Sequence, residues 1–137
     1  MSLQGGETDL AALLECLRPE LHPAVYVFCS LPNDVQIPTG VMPVCQFQET
    51  EGLTLIVEKM QADRAQLAYV YPCRMITLTV HSSLEAIGLL AKVTQSLAKA
   101  GISVNAISAY YHDHLFVACD RANEAMTCLQ KLVMKAS

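Results

Sequence analysis

Two consecutive elements in the second half of the chain narrow the choice of folds more than any other feature. The run Met75-Ile-Thr-Leu-Thr-Val-His81 alternates strictly, with Ile76, Leu78 and Val80 on one face and Thr77, Thr79 and His81 on the other, which is the period of a half-buried strand. The apolar period then changes to that of a helix. Ala86, Leu90, Val93 and Leu97 lie along one side and Lys92, Gln95, Ser96 and Lys99 along the other. Gly101 stands where a left-handed residue closes a helix. A strand with one apolar face and a helix with one apolar stripe must cover each other, so the chain is committed to an α+β architecture.

The remaining segments extend this pattern in both directions. Leu10, Leu13, Leu14 and Leu17 fall at i, i+3, i+4 and i+7, one helical face, and Pro19 and Pro23 end that helix. Residues 24–31 are rich in strand formers, and residues 32–43, with their prolines and Gly40, form a loop. Strands at residues 44–48 and 53–58 flank Glu49-Thr50-Glu51-Gly52, a hairpin signal. A short polar helix covers residues 61–67, and Tyr69-Val70-Tyr71-Pro72 breaks the pattern. Strands at residues 102–110 and 115–119 surround a Tyr111-His-Asp-His114 turn, and a closing helix at residues 123–134 turns Ala125, Leu129 and Leu132 inward. The order α-β-β-β-α and then β-α-β-β-α predicts two similar halves, residues 1–72 and 73–137, with antiparallel sheets and helices on one face.

Composition excludes several functions. Of the 137 residues 53 % are hydrophobic and 16 % charged, which rules against disorder and suits a chain that covers apolar surface with another subunit. The net charge of −4 opposes nucleic-acid binding, which needs a basic footprint. No apolar run approaches the roughly 20 residues of a membrane span, and the apolar stretch at residues 10–14 follows the acidic Glu7 and Asp9 rather than a basic leader. A cytoplasmic location is expected. The six cysteines include no C-x-x-C pair, and their mostly apolar neighbours predict buried free thiols in a reducing compartment.

The second half carries a family resemblance. Gly88-Leu-Leu-Ala-Lys-Val-Thr94, Leu97-Ala-Lys-Ala-Gly-Ile-Ser-Val104 and Ala106-Ile-Ser108 together resemble an ACT domain over roughly residues 75–134. With its first half and the run Ala109-Tyr-Tyr-His-Asp-His-Leu-Phe-Val117, the whole chain is similar to small stand-alone bacterial proteins of two ACT-like halves. Those in turn resemble the regulatory ACT domains of aspartate kinases and the arginine-sensing tandem ACT proteins of eukaryotes. The resemblance implies a ferredoxin-like βαββαβ fold, no catalytic activity, no cofactor, and a regulatory site for a small molecule, an amino acid by family habit. Two positions depart from the family pattern: Glu85-Ala-Ile-Gly88 replaces an Asp-x-x-Gly or Asp-x-Pro-Gly helix start, and Ser103 stands where many amino-acid binders have Asn. The family's site nominates Ser82, Ser83, Glu85 and Gly88 before the helix, with Ser103 and Asn105 at the following strand.

Physical chemistry supports a site there independently. A strand-to-helix loop presents free backbone N–H groups at a positive dipole end, which suits a carboxylate, and Gly88 lets a backbone approach closely. Ser82-Ser-Leu-Glu85 is also a capping-box pattern, in which Ser82 caps the helix and Glu85 reaches back. A competing constellation is His81 with His112, Asp113 and His114, a set a metal-dependent hydrolase would use. The spacing fixes no fourth ligand, and His112 and His114 are expected to flank the turn on opposite strands as exposed residues, so no metal is expected. No nucleophile or phosphate-loop motif is present. A third possibility is an oligomerisation domain on the same fold. Tyr110, Leu115 and Phe116, expected on the outer sheet face, together with unpaired edge strands, predict a homodimer.

Overall fold

The computed structural model describes residues 9–80 and 86–136. Its elements are α1 (Leu10–Cys16), β1 (Arg18–Leu31), β2 (Cys45–Gln48), β3 (Leu53–Glu58), α2 (Lys59–Arg64), β4 (Val70–Thr79), α3 (Leu89–Lys99), β5 (Asn105–Ser108), β6 (Asp113–Ala118) and α4 (Ala122–Ala136). Contacts divide the chain into two compact units, one of residues 1–22 with 75–137 and one of residues 23–74. The α+β class is as expected.

In the unit of residues 23–74 the strand order is β2-β3-β1-β4. Antiparallel ladders join β1 to β3, with Cys29 opposite Leu55, and β2 to β3, with Phe47 opposite Thr54. Val27, Cys29 and Leu31 of β1 meet Leu55 and Val57 of β3 beneath Ala62 of α2. No helix lies between β1 and β2. Val41 of the connecting loop is buried in this core and Ile37 packs against it, so the loop supplies the cover that a helix would give.

In the other unit the order is β1-β4-β6-β5. Its first strand in ladder sequence is β4, its second β5 and its third β6, and the fourth place is taken by the start of β1. The first, second, third and fourth strands of residues 23–74 are β1, β2, β3 and β4. Both units therefore read second-third-first-fourth across the sheet, the signature of one repeated ferredoxin-like topology. Ile76 and Leu78 of β4 and Leu115 and Val117 of β6 face Leu89, Val93 and Leu97 of α3, Ala125 and Leu129 of α4, and Leu13, Leu14 and Leu17 of α1.

Several expectations change at this level. The helix expected to serve the first half, α1, packs instead with α3 and α4, because its three leucines complete that core. The strand expected at residues 24–31 begins at Arg18, and residues 70–72 belong to β4 rather than to a break. Pro19 and Pro72 lie in β1 and β4, each the edge strand of the unit holding that proline, the place in a sheet where proline is found. The turn before β6 comes earlier than expected: Ser108 pairs with Asp113 and the Ala109 N–H donates to the His112 carbonyl at 3.0 Å. Asp113 and His114 are thus strand residues. Leu115 and Phe116, expected outside, are both buried. None of the six cysteines is in a disulfide, but only Cys29 and Cys73 are buried.

Candidate functional site

The helix expected to start near residue 82 starts at Leu89, with Gly88 as its N-cap at φ 98°. Ser82, Ser83, Glu85 and His81 lie outside the described residues. Gly88 takes a left-handed backbone that favours glycine, and a side chain there would meet Leu10 Cδ2 of α1 at 3.3 Å. Gly88, as N-cap, has no side chain to cap the first turn of α3, whose leading N–H groups have no acceptor within the helix.

The C-terminal end of α3 closes as its sequence requires. Gly101 adopts φ 74°, and the Ile102 N–H donates to the Leu97 carbonyl at 3.0 Å, a Schellman closure. Ser103 and Asn105 follow, both exposed, with Asn105 opposite Phe116 in the β5 and β6 ladder. Eleven helical residues span about 16 Å. Within one copy, then, Gly88 lies at one end of α3 and Ser103 with Asn105 beyond the other. The structure does not bring the two groups together.

The histidines are arranged differently from the exposed pair that the sequence suggests. Thr77, buried in β4, joins three strands through its hydroxyl: His22 Nε2 lies 2.7 Å away from one side and His114 Nδ1 3.0 Å from the other. His112 Nδ1 is 3.2 Å from the Val80 carbonyl. A carbonyl only accepts, so His112 carries its proton on Nδ1. His112 and His114 lie on the same side, their rings 6.4 Å apart, and Asp113 Oδ1 accepts from the Ser108 hydroxyl. Among the described residues no three His, Cys, Asp or Glu side chains gather to hold a metal ion. His22, 55 positions from Thr77, has no local signal, since a lone histidine before a proline carries no period or motif. Thr79 Oγ1, two residues along β4, is buried without a hydrogen-bond partner among the described residues.

Burial pushes the His114 imidazole below its ordinary pKa, and the nearby imidazoles of His112 and His22 act in the same direction, against Asp113. A depressed histidine is neutral in the fold but takes up a proton in the unfolded chain as pH falls below about 6.5. Stability should therefore be greatest above that value and decline on acidification through the folded-state pKa. Urea midpoints between about pH 7.5 and 5.5, above the carboxylate range, should fall with pH, and His114→Asn should flatten the decline. A midpoint that rises on acidification would contradict this placement of His114.

Comparison with known proteins agrees with this topology. An ACT-domain family matches residues 5–74, and a second ACT-domain family matches residues 70–131. A Vibrio cholerae protein of unknown function, a possible transport protein, is 41 % identical with a TM-score of 0.81, over 90 % of this chain and 95 % of that one. An Agrobacterium tumefaciens protein shares the fold at 16 % identity and a TM-score of 0.73, over 85 % of this chain and 89 % of the other. So does the regulatory subunit of aspartate kinase from Thermus thermophilus in its ligand-free form, at 11 % identity and a TM-score of 0.63, over 83 % and 95 %. No curated protein matches in sequence. The repeated strand order and the two family matches, which between them run from residue 5 to residue 131, lead to one conclusion: the chain belongs to the ACT-domain family, as a tandem of two ACT domains.

Proposed function

We propose that this protein is a non-catalytic regulatory module that binds an amino acid in the cytoplasm, at a site completed by a second copy of the chain. The observation that carries the reading is the start of α3, where a glycine N-cap has no side chain to cap the first-turn N–H groups in a tandem ACT protein. A ligand carboxylate suits those donors and the helix dipole, Ser82 and Ser83 add hydroxyls, and Glu85 takes the ligand's amino group. Ser103 and Asn105 stand beyond the other end of α3, so they complete the site of a partner copy. In a homodimer each chain supplies one half of each site. Edge strand β5 supports such pairing, with Asn105, Ala106 and Ser108 exposed and one side of its ladder unfilled within its unit. Six cysteines outside any disulfide suit a reducing compartment.

A thermal-shift screen of the proteinogenic amino acids tests the reading. A ligand at about 100 times its dissociation constant stabilises the native state by roughly 2.7 kcal/mol, which raises Tm by several degrees. Ser103→Ala with Asn105→Ala should remove the shift and leave the ligand-free Tm unchanged, since both residues are exposed. Sedimentation should give twice the 14.9 kDa chain mass. If no amino acid moves Tm while the dimer persists, the chain is an oligomerisation domain.

A further inference from the structure

A second surface, remote in character from the ligand loop, lies on the helical layer of the unit containing α3. A groove of about 610 Å³ runs between α3 and α4. Its floor is apolar, made by Leu14 of α1, Ala100, Cys128 and Leu132. Four of the chain's five lysines stand around it: Lys92 and Lys99 from α3, Lys131 and Lys135 from α4. All four are exposed. No acidic side chain lines the groove. Among the described residues neither salt bridge involves these lysines: Lys59 pairs with Asp63, and Arg121 with Glu124, the only acidic residue of α3 or α4.

In a chain of net charge −4, concentrating four cations around an apolar floor has a direct electrostatic consequence. The field there attracts anions although the molecule as a whole repels them. The spacing explains the pattern. Lys92 and Lys99 are seven positions apart, about 10 Å along one helix face, and Lys131 and Lys135 stand one turn apart on the facing helix. The groove is thus a two-turn trough with charged rims. Its surroundings show what such a trough accepts, because α1 seats Leu13 and Leu14 against the same two helices. A further helix with leucine-like residues on one face and carboxylates on its flanks matches both floor and rims, the helix-in-groove mode of recognition.

We propose that the lysine-rimmed groove between α3 and α4 docks an acidic amphipathic helix of a partner protein. The occupant buries its apolar face on Leu14, Ala100 and Leu132 while its Asp or Glu side chains pair with the lysines. Charge complementarity sets the encounter rate and orientation, and the apolar floor distinguishes a helix with a continuous apolar face from any other polyanion. This docking does not depend on amino-acid binding at the ligand loop.

The test uses the full chain and a fluorescein-labelled synthetic peptide of about 14 residues, long enough to fold on a surface, with leucines at i, i+3, i+4 and i+7 and glutamates elsewhere. A second peptide of the same composition has its leucines scattered round the helix. Anisotropy should show the patterned peptide binding at least about tenfold more tightly than the scattered one, and weakening as salt rises from about 0.05 to 0.5 M. The double variant Lys92→Glu with Lys131→Glu should weaken binding at least about tenfold. Gln95→Trp, which fills the groove from an exposed position without changing charge, should do the same. Far-UV circular dichroism confirms that both variants fold. Equal binding of the two peptides, binding unaffected by the substitutions, or no binding would overturn the proposal. So would phosphatidylglycerol vesicles binding through the same lysines while the peptide does not, or a self-association of the protein that the lysine substitutions abolish.

Discussion

Leu129→Ala is expected to lower the unfolding free energy by about 2–5 kcal/mol, the range for truncating a fully buried leucine. Leu129 of α4 has no exposed surface and belongs to the core that also holds Val93, Leu97, Ile76, Leu78 and Leu13. Removing three carbons there leaves a cavity lined by rigid neighbours on two helices and a sheet, which cannot all move inward at once. Against a typical total of about 5–15 kcal/mol, the loss is a large share. Urea denaturation followed by circular dichroism measures it. A change below about 1 kcal/mol would mean that α4 does not seal this core. Met134→Ala, on the same helix but 73 % exposed, serves as the comparison and should stay within about 0.5 kcal/mol.

Gly52→Ala should cost about 2–3 kcal/mol, near the upper end for overfilling a close-packed site. A Cβ at Gly52 would lie 2.6 Å from the Leu31 carbonyl oxygen and 3.0 Å from Ser30 Oγ. The serine side chain can rotate. The carbonyl cannot, because it belongs to β1 where Leu31 pairs with Leu53. Relief therefore requires β1 and the β2-β3 hairpin to separate locally, at the expense of ladder hydrogen bonds. The same urea experiment reads the effect, and Thr50→Ala in the same loop, exposed, should change little. A Gly52→Ala protein as stable as the parent would show that β1 does not approach the hairpin this closely.

Gly52 illustrates how far local sequence reasoning reaches. Its position after Glu49-Thr50-Glu51 signals the hairpin correctly, and β2 and β3 flank it as expected. The reason for glycine, though, is a neighbouring strand some 20 positions earlier in the chain, which no turn rule contains. Helix α3 shows the same division. Its apolar stripe and the closure at Gly101 are readable from a 3.6-residue period, whereas its start at Leu89 follows the left-handed turn at Gly88, which the helical period does not encode. Of the candidate site, the positions of Gly88, Ser103 and Asn105 were legible as motif elements. That they occupy opposite ends of a helix was not, since a motif orders residues along the chain and says nothing of the length between them in space.

What the sequence determined by itself is whatever a short window encodes: the alternation of β4, the amphipathic faces of α3 and α4, the hairpin between β2 and β3, and through these the α+β class. Each depends on residues a few positions apart, whose side chains share a face by backbone geometry alone. Tertiary structure decided the rest. It placed α1 beside α3 and α4 rather than in the unit of residues 23–74, and filled the fourth place of one unit's sheet with the start of β1. It also joined His22, Thr77 and His114 across three strands and gathered four lysines from two helices around one groove. These outcomes depend on which strands pair and in what register, a choice made by burying apolar faces that lie far apart in the chain, and no local period carries that information.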